Sequence, residues 1–259
     1  MRERAAFARP IAHRGLHGAP GGGAIENTMP AFDAAIAKGY GIECDVRPAR
    51  DGLPVVFHDE ALDRLTTGGG PVAHHDGAGL GNVAFRDAPA SRIPLLSDLL
   101  DRVSGRVPLL VEIKSEWESP DARFLAAVCE RCVDYDGPLA LMSFDPDVMA
   151  AVRGIAPGLN RGIVSGNYML PASSDDPDDH WWPDRIDKAR AERLTHLLDS
   201  GPAAPHFYAY DVRALPTPVT RYVRAVQGLP LFTWTVRSPR DRDVAASAAD
   251  AMIFEGFTP

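Results

Sequence analysis

Between Pro10 and Phe254, short apolar runs that read as strands alternate with runs that read as helices, and this alternation restricts the fold more than any other feature of the chain. Strand-like segments fall at 10–15, 41–46, 53–58, 108–114, 138–143, 161–165, 206–210, 230–236 and 251–254, with helix-like segments at 31–38, 95–103, 119–132, 146–154, 185–200, 218–227 and 239–248. The first helix has legible ends: Thr28 or Asn27 can serve as N-cap, Pro30 falls in the first turn, and Gly39 follows the last. Strand, helix, strand makes a βαβ unit, whose crossover is right-handed. Such units repeated over 259 residues, with no internal repeat or linker, predict an α/β protein: a (β/α)8 TIM-type barrel, residues 1–259 as one domain. Two segments are less regular. Residues 59–94 carry loop signals at Gly68–Gly70 and Asp76–Gly79, and residues 166–184 form a long excursion with Tyr168, Trp181 and Trp182, a length more often functional than idle.

Composition removes several function classes. A formal net charge of -8 argues against a polyanion-binding face, so nucleic acid is not an expected partner. No run of eighteen apolar residues exists, and Met1–Pro10 has charges without an apolar stretch behind them. With residue 1 as the natural start, a cytoplasmic protein without stable membrane insertion is expected, and monomer and homodimer both stay open. The cysteines, Cys44, Cys129 and Cys132, are odd in number, and the lone Cys129-x-x-Cys132 lies in a helix-like run, so structural thiols are expected.

The chemistry is concentrated at strand ends. In a strand over 41–46, Glu43 and Asp45 share one face while Ile42, Cys44 and Val46 share the other. Two carboxylates taken out of water together must be protonated or neutralised by a cation, and hard oxygen donors suit Mg2+ or Ca2+ rather than zinc. On 108–114, Leu110, Glu112 and Lys114 share a face. In a barrel such strand ends meet at one mouth, which would also receive His13, Arg14 and His58. Three carboxylates (Glu43, Asp45, Glu112) can hold one divalent cation, two histidines can pass protons, and Arg14 and Lys114 can bind an anion. Hydrolysis of a phosphate ester needs such a set, and two imidazoles favour a diester over a monoester.

Taken in order, His13-Arg14-Gly15, Glu26-Asn27-Thr28, Glu43-Cys44-Asp45-Val46, Asp51-Gly52, His58-Asp59, Ile93-Pro94-Leu95-Leu96, Glu112-Ile113-Lys114, Ser143-Phe144-Asp145 and Thr233-Trp234-Thr235-Val236 make the chain resemble the glycerophosphodiester phosphodiesterase family over nearly its whole length. The resemblance implies a TIM-type barrel, one bound divalent cation, and hydrolysis of glycerophosphodiesters to glycerol 3-phosphate and an alcohol. It also implies roles: His13 and His58 as the general acid/base pair, Arg14 and Lys114 as phosphate contacts, and Glu43, Asp45 and Glu112 as metal ligands. Trp234, sharing a face with Phe232 and Val236, would form an apolar wall against the substrate, and Glu26 and Asn27 would support the metal or His13. The resemblance suggests attack by the adjacent glycerol hydroxyl, through a cyclic phosphate that water then opens.

The sequence departs from the family pattern twice. Glu255 follows the last strand where Thr-Asp is usual, and Arg237 follows Trp234-Thr235-Val236 where asparagine is usual. Both departures are expected at the mouth, where substrates are selected. Alternatives are a lysophospholipase D or sphingomyelinase-like enzyme, for which Tyr168, Trp181 and Trp182 would supply an apolar mouth, and a non-catalytic phosphate-headgroup binding barrel. Simpler accounts exist for single residues: Trp234 as plain core, Glu112–Lys114 as an ion pair, Asp59 as a turn cap, and Asp175, Asp176, Asp178 and Asp179 as a solvated loop. His74 and His75 read as solvated, and His17, His180, His196 and His206 have no motif support.

Overall fold

In the computed structural model, which describes residues 1–18, 23–169 and 185–259, eight strands pair in parallel and close on themselves. The ring runs β1 (Ile11–Ala12), β2 (Gly41–Pro48), β4 (Leu109–Ile113), β5 (Leu139–Ser143), β6 (Asn160–Ser165), β7 (Phe207–Asp211), β8 (Leu231–Val236) and β9 (Ala251–Phe254), and β9 pairs back onto β1. Helices α1 (Met29–Lys38), α3 (Leu96–Val103), α4 (Ala122–Val133), α5 (Pro146–Ile155), α6 (Lys188–Thr195), α7 (Pro218–Ala225) and α8 (Pro239–Ala248) occupy the crossovers between successive ring strands. The (β/α)8 barrel expected from the alternation is the fold.

Strand periodicity divides the core in two. Side chains aimed inward (Ile11, Leu110, Met142, Val164, Phe207, Phe232 and their neighbours) fill the barrel, while Ile42, Cys44, Val46, Val111 and Leu141 pack outward against the helices. A short helical turn over Arg4–Phe7 sets Phe7 inside the barrel, its ring stacked 6.2 Å from that of Phe232. The three cysteines are free and buried, in keeping with structural thiols.

Several elements differ from the sequence reading. β3 (Pro54–Val56) is no ring strand: it turns back antiparallel onto the outer end of β2, with Val46 opposite Val56 and Pro48 opposite Pro54. The cause is the tight connection through Gly52 (φ 81°), which can join antiparallel neighbours but is too short for a parallel crossover. Residues 49–93 then build a satellite core around Val55, Phe57, Leu62, Val72, Leu80 and Phe85. That satellite includes α2 (Gly77–Leu80), a short helix capped by the Asp76 carboxylate where a loop was expected. The helix expected over 185–200 is only Lys188–Thr195, and His196–Asp199 continues as turns. In β8 the pairing shifts between Thr233 and Val236, so Trp234 packs with Phe232 inside the barrel while Val236 faces the helices. Trp234 and Val236 therefore do not share a face, because an irregularity moves every later side chain across the sheet. Among the described residues, no helix is long and apolar enough to cross a membrane.

Candidate active site

Parallel strands deliver their C-terminal ends to one rim, and on β2 and β4 register does the rest. Asp45 is the direct partner of Glu112, and Glu43 the partner of Leu110, which puts oxygens of Glu43, Asp45 and Glu112 within 4.8 Å of one another. All three side chains are buried. Lys114 answers part of the charge, its Nζ 2.6 Å from Glu112 Oε1 and 2.9 Å from Asp45 Oδ1. Burial and then the other two acids push the Glu43 carboxyl well above its usual range. Burial also acts to raise Asp45, but Lys114 and other nearby cations outweigh it and hold that carboxyl well below the usual range.

The loop after β1 supplies the next layer. Arg14 adopts φ 52°, a left-handed conformation costly to a side-chain-bearing residue, and this turns its amide toward Glu43 Oε2 at 2.9 Å. Its guanidinium lies 3.0 Å from Glu26 Oε1 and 3.4 Å from Asp45 Oδ2. Gly15 follows at φ 81° where a Cβ would sit 2.9 Å from that of Ala31, so the loop rests directly on α1. Asn27, also left-handed at φ 55°, donates from Nδ2 to Asp45 Oδ2 at 2.8 Å. Thr28 is the N-cap of α1, though its hydroxyl donates back to the Ile25 carbonyl rather than accepting from the helix.

Each of the two histidines is tied through Nδ1 to a carboxylate. His13 Nδ1 lies 2.7 Å from Glu255 Oε2, and His13 Nε2 lies 3.9 Å from Glu43 Oε2. His58 Nδ1 lies 2.9 Å from Asp59 Oδ1, while the His58 carbonyl accepts from Arg47 Nε at 2.6 Å. Asp59 in turn binds Arg64, which reaches Glu26 at 2.7 Å and so links the His58 side of the mouth to Arg14. Burial and then the Lys114 charge push His58 down to about 4, and burial and then Arg14 lower His13. Burial would raise Glu255, but the His13 hydrogen bond and the neighbouring Arg237 hold it below the usual carboxylate range.

A cavity of about 460 Å3 opens here, lined by His13, Arg14, Glu43, His58, Glu112, Lys114 and Trp234 among others. All the residues singled out at strand ends are brought together; Asp45 does not line the cavity but grips Lys114 and Asn27 behind it. Trp234 stands edge-on to Phe144 at 5.1 Å, and its buried Nε1–H has no hydrogen-bond partner among the described residues. Tyr168 is buried at the same mouth, while Trp181, Trp182, His180 and the aspartates at 175–179 lie outside the described residues. Ser143 and Asp145 are scaffolding: Ser143 Oγ donates to the Ile113 carbonyl, and Asp145 caps α5.

In the sequence, Arg64 and Arg47 carry no signal of a role, Asp59 stands only as half of a motif or a turn cap, and Glu255 and Arg237 stand only as departures from the family pattern. The one available signal for the last two was that both fall one residue past a strand end, where side chains reach the mouth.

Buried charge at this density on the C-terminal rim of a parallel barrel places the protein among the (β/α)8 enzymes. Direct comparison narrows the class. A model of the glycerophosphoryl diester phosphodiesterase family matches residues 13–255, and the chain belongs to that family of phosphodiester hydrolases. Bacillus subtilis (strain 168) YqiK, itself uncharacterized, is 32% identical over 172 residues, covering 62% of this chain and 68% of its own. A glycerophosphodiester phosphodiesterase of the same organism is 25% identical over 252 residues, covering 89% of this chain and 77% of its own. A solved phosphodiesterase from Oleispira antarctica, in complex with the product sn-glycerol-3-phosphate, superposes with a TM-score of 0.69 and 22% identity over 95% of this chain and 92% of its own, a likeness of fold.

Proposed function

We propose that the chain hydrolyses glycerophosphodiesters to glycerol 3-phosphate and an alcohol in a reaction that depends on one divalent cation, Mg2+ or Ca2+. The observation that carries this reading is the convergence of three buried carboxylates within 4.8 Å beside a cavity that both histidines line. The donor set fits such an ion. All its ligand atoms are hard oxygens, and Glu43 Oε1 is buried with no hydrogen-bond partner among the described residues, an acceptor that the protein leaves unsatisfied. Glu43, Asp45 and Glu112 would hold the ion, which supplies charge stabilisation for the phosphoryl oxygens.

The remaining steps fall to side chains. Arg14 and Lys114 offset negative charge that grows on the phosphoryl group, and Trp234 walls the cavity against the substrate. One histidine removes the proton of the neighbouring glycerol hydroxyl as it attacks phosphorus; the other donates a proton to the departing alcohol, and their roles exchange when water opens the cyclic phosphate. Burial, the first cause in both cases, lowers His13 and His58, which favours the neutral form that the histidine acting as base requires. The product bound by the Oleispira enzyme supports a substrate of this size.

The test is release of glycerol 3-phosphate from a panel of headgroup diesters, with and without chelator. Turnover should vanish with chelator and return with Mg2+ or Ca2+, and His13→Ala and His58→Ala should each lose at least about 100-fold while keeping the fold. Wild-type rates in both variants, or turnover untouched by chelation, would end the assignment.

A further inference from the structure

The two departures from the family pattern, Glu255 and Arg237, touch each other. Both guanidinium contacts of Arg237 with the Glu255 carboxylate are 3.4 Å, and the same carboxylate reaches His13 Nδ1 at 2.7 Å. Backbone pairing makes this contact a product of register. Ala12 is the partner of Phe254 across β1 and β9, the His13 amide donates to the Phe254 carbonyl at 3.0 Å, and the Glu255 amide donates to the Val236 carbonyl at 3.1 Å. His13 and Glu255 thus each stand one residue beyond a paired strand end, side by side, and Arg237 stands one residue beyond β8.

We propose that Glu255 is the positioning residue for His13, accepting its Nδ1–H so that Nε2 carries the lone pair toward the acidic cluster, and that Arg237 holds the Glu255 carboxylate in that orientation. A role for this contact in turnover rests on the phosphodiesterase reading above; the tautomer it imposes does not. The geometry separates this role from a plain rim ion pair. The carboxylate sits closer to the imidazole than to the guanidinium, and its oxygen Oε2 serves both. A neutral imidazole commonly carries its proton on either nitrogen, and the partner of one nitrogen decides which. With Glu255 on Nδ1, the nitrogen 3.9 Å from Glu43 Oε2 is the one left to take a proton from substrate, and the imidazolium so formed is stabilised by the same carboxylate.

The experiment is two-armed and uses the full chain. In 15N-histidine NMR at neutral to mildly basic pH, His13, assigned by its loss in His13→Ala, should carry its proton on Nδ1 in the wild type and shift to Nε2–H in Glu255→Ala. In steady-state assays, Glu255→Gln and Glu255→Ala should lower kcat about 10- to 100-fold, a part of the general acid–base contribution, with KM within about twofold and thermal midpoints near wild type. Glu255→Asp should recover part of the loss. An unchanged Nδ1–H tautomer in Glu255→Ala, or wild-type kcat in that variant, would overturn the proposal. A wild-type protein that releases no glycerol 3-phosphate refutes the phosphodiesterase reading instead, and the tautomer arm then decides the positioning role alone.

Discussion

Replacing Glu43 with glutamine should change stability in opposite directions with and without a divalent cation. Glu43 is 1% exposed, and its carboxylate shares a 4.8 Å neighbourhood with those of Asp45 and Glu112. At an effective dielectric near 20, two unit charges at that separation repel by about 3 kcal/mol, and Glu43 faces two such neighbours. Arg14 offsets part of this, but burial first, and then the two neighbouring acids, hold the Glu43 carboxyl well above its usual range. Glutamine keeps the shape and the acceptor for the Arg14 amide but carries no charge. In EDTA at pH 8, Glu43→Gln should therefore be more stable than wild type by about 1 kcal/mol, a Tm rise of about 2–4 °C for a chain of this size. Saturating cation reverses the order: at 100 times Kd the wild type gains about 2.7 kcal/mol, whereas the variant, one ligand short, gains far less. The pH dependence has a definite sign. A carboxyl whose folded pKa is raised contributes stability that is full below the ordinary carboxylate range and lost as pH climbs through the raised value, so the gap in EDTA widens as pH rises above the ordinary carboxylate range. Differential scanning calorimetry with EDTA and with Ca2+ or Mg2+ measures all of this. A variant less stable than wild type in EDTA at pH 8, or one with the full cation-dependent rise, refutes the reasoning.

Two further outcomes follow from packing and from His58. A Cβ added at Gly162 would lie 2.2 Å from two ring carbons of Phe207, itself fully buried and 5.0 Å from the ring of Phe232, so Gly162→Ala should cost about 1–3 kcal/mol. Thermal denaturation should show a Tm lowered by at least about 2 °C and partly restored by adding Phe207→Leu; an unchanged Tm contradicts the packing. Burial first, then Lys114, lowers His58 from 6.5 to about 4, so as pH falls the unfolded chain takes up that proton first. The stability contribution present above 6.5 is lost between there and about 4, and His58→Asn should flatten urea midpoints over that window; an equally steep loss in the variant would count against the burial argument.

What the sequence disclosed and what it hid divide along physical lines. The faces of β2 and β4 were legible because a strand alternates by geometry, so Glu43, Asp45, Glu112 and Lys114 could be set on one side without knowing what lay opposite. Eight ring strands were legible from alternation with helices. The antiparallel β3 was hidden, because a run of apolar residues has the same pattern in either direction and only the shortness of the turn through Gly52 reveals the reversal. The face of Val236 was hidden by a one-residue irregularity that leaves no trace in the apolar pattern. Glu255 could not be matched with His13 because the contact spans nearly the whole chain and exists only once β9 closes onto β1. Arg64, on an irregular stretch, carries no periodic signal at all, yet it ties Asp59 to Glu26.

Strand β2 belongs to two structures at once. Its first six residues are laced into the ring between β1 and β4, and its last three pair with β3, from which the chain runs straight on to His58. Val46 sits in both ladders, one residue past Asp45. The spacing between the acid cluster and His58 is accordingly written along one unbroken length of backbone, as on a ruler, while His13 arrives from a separate strand at the seam where the barrel shuts. Insertions in the satellite lobe beyond His58 can vary without altering that spacing, whereas a change of one residue between Asp45 and His58 would reset it.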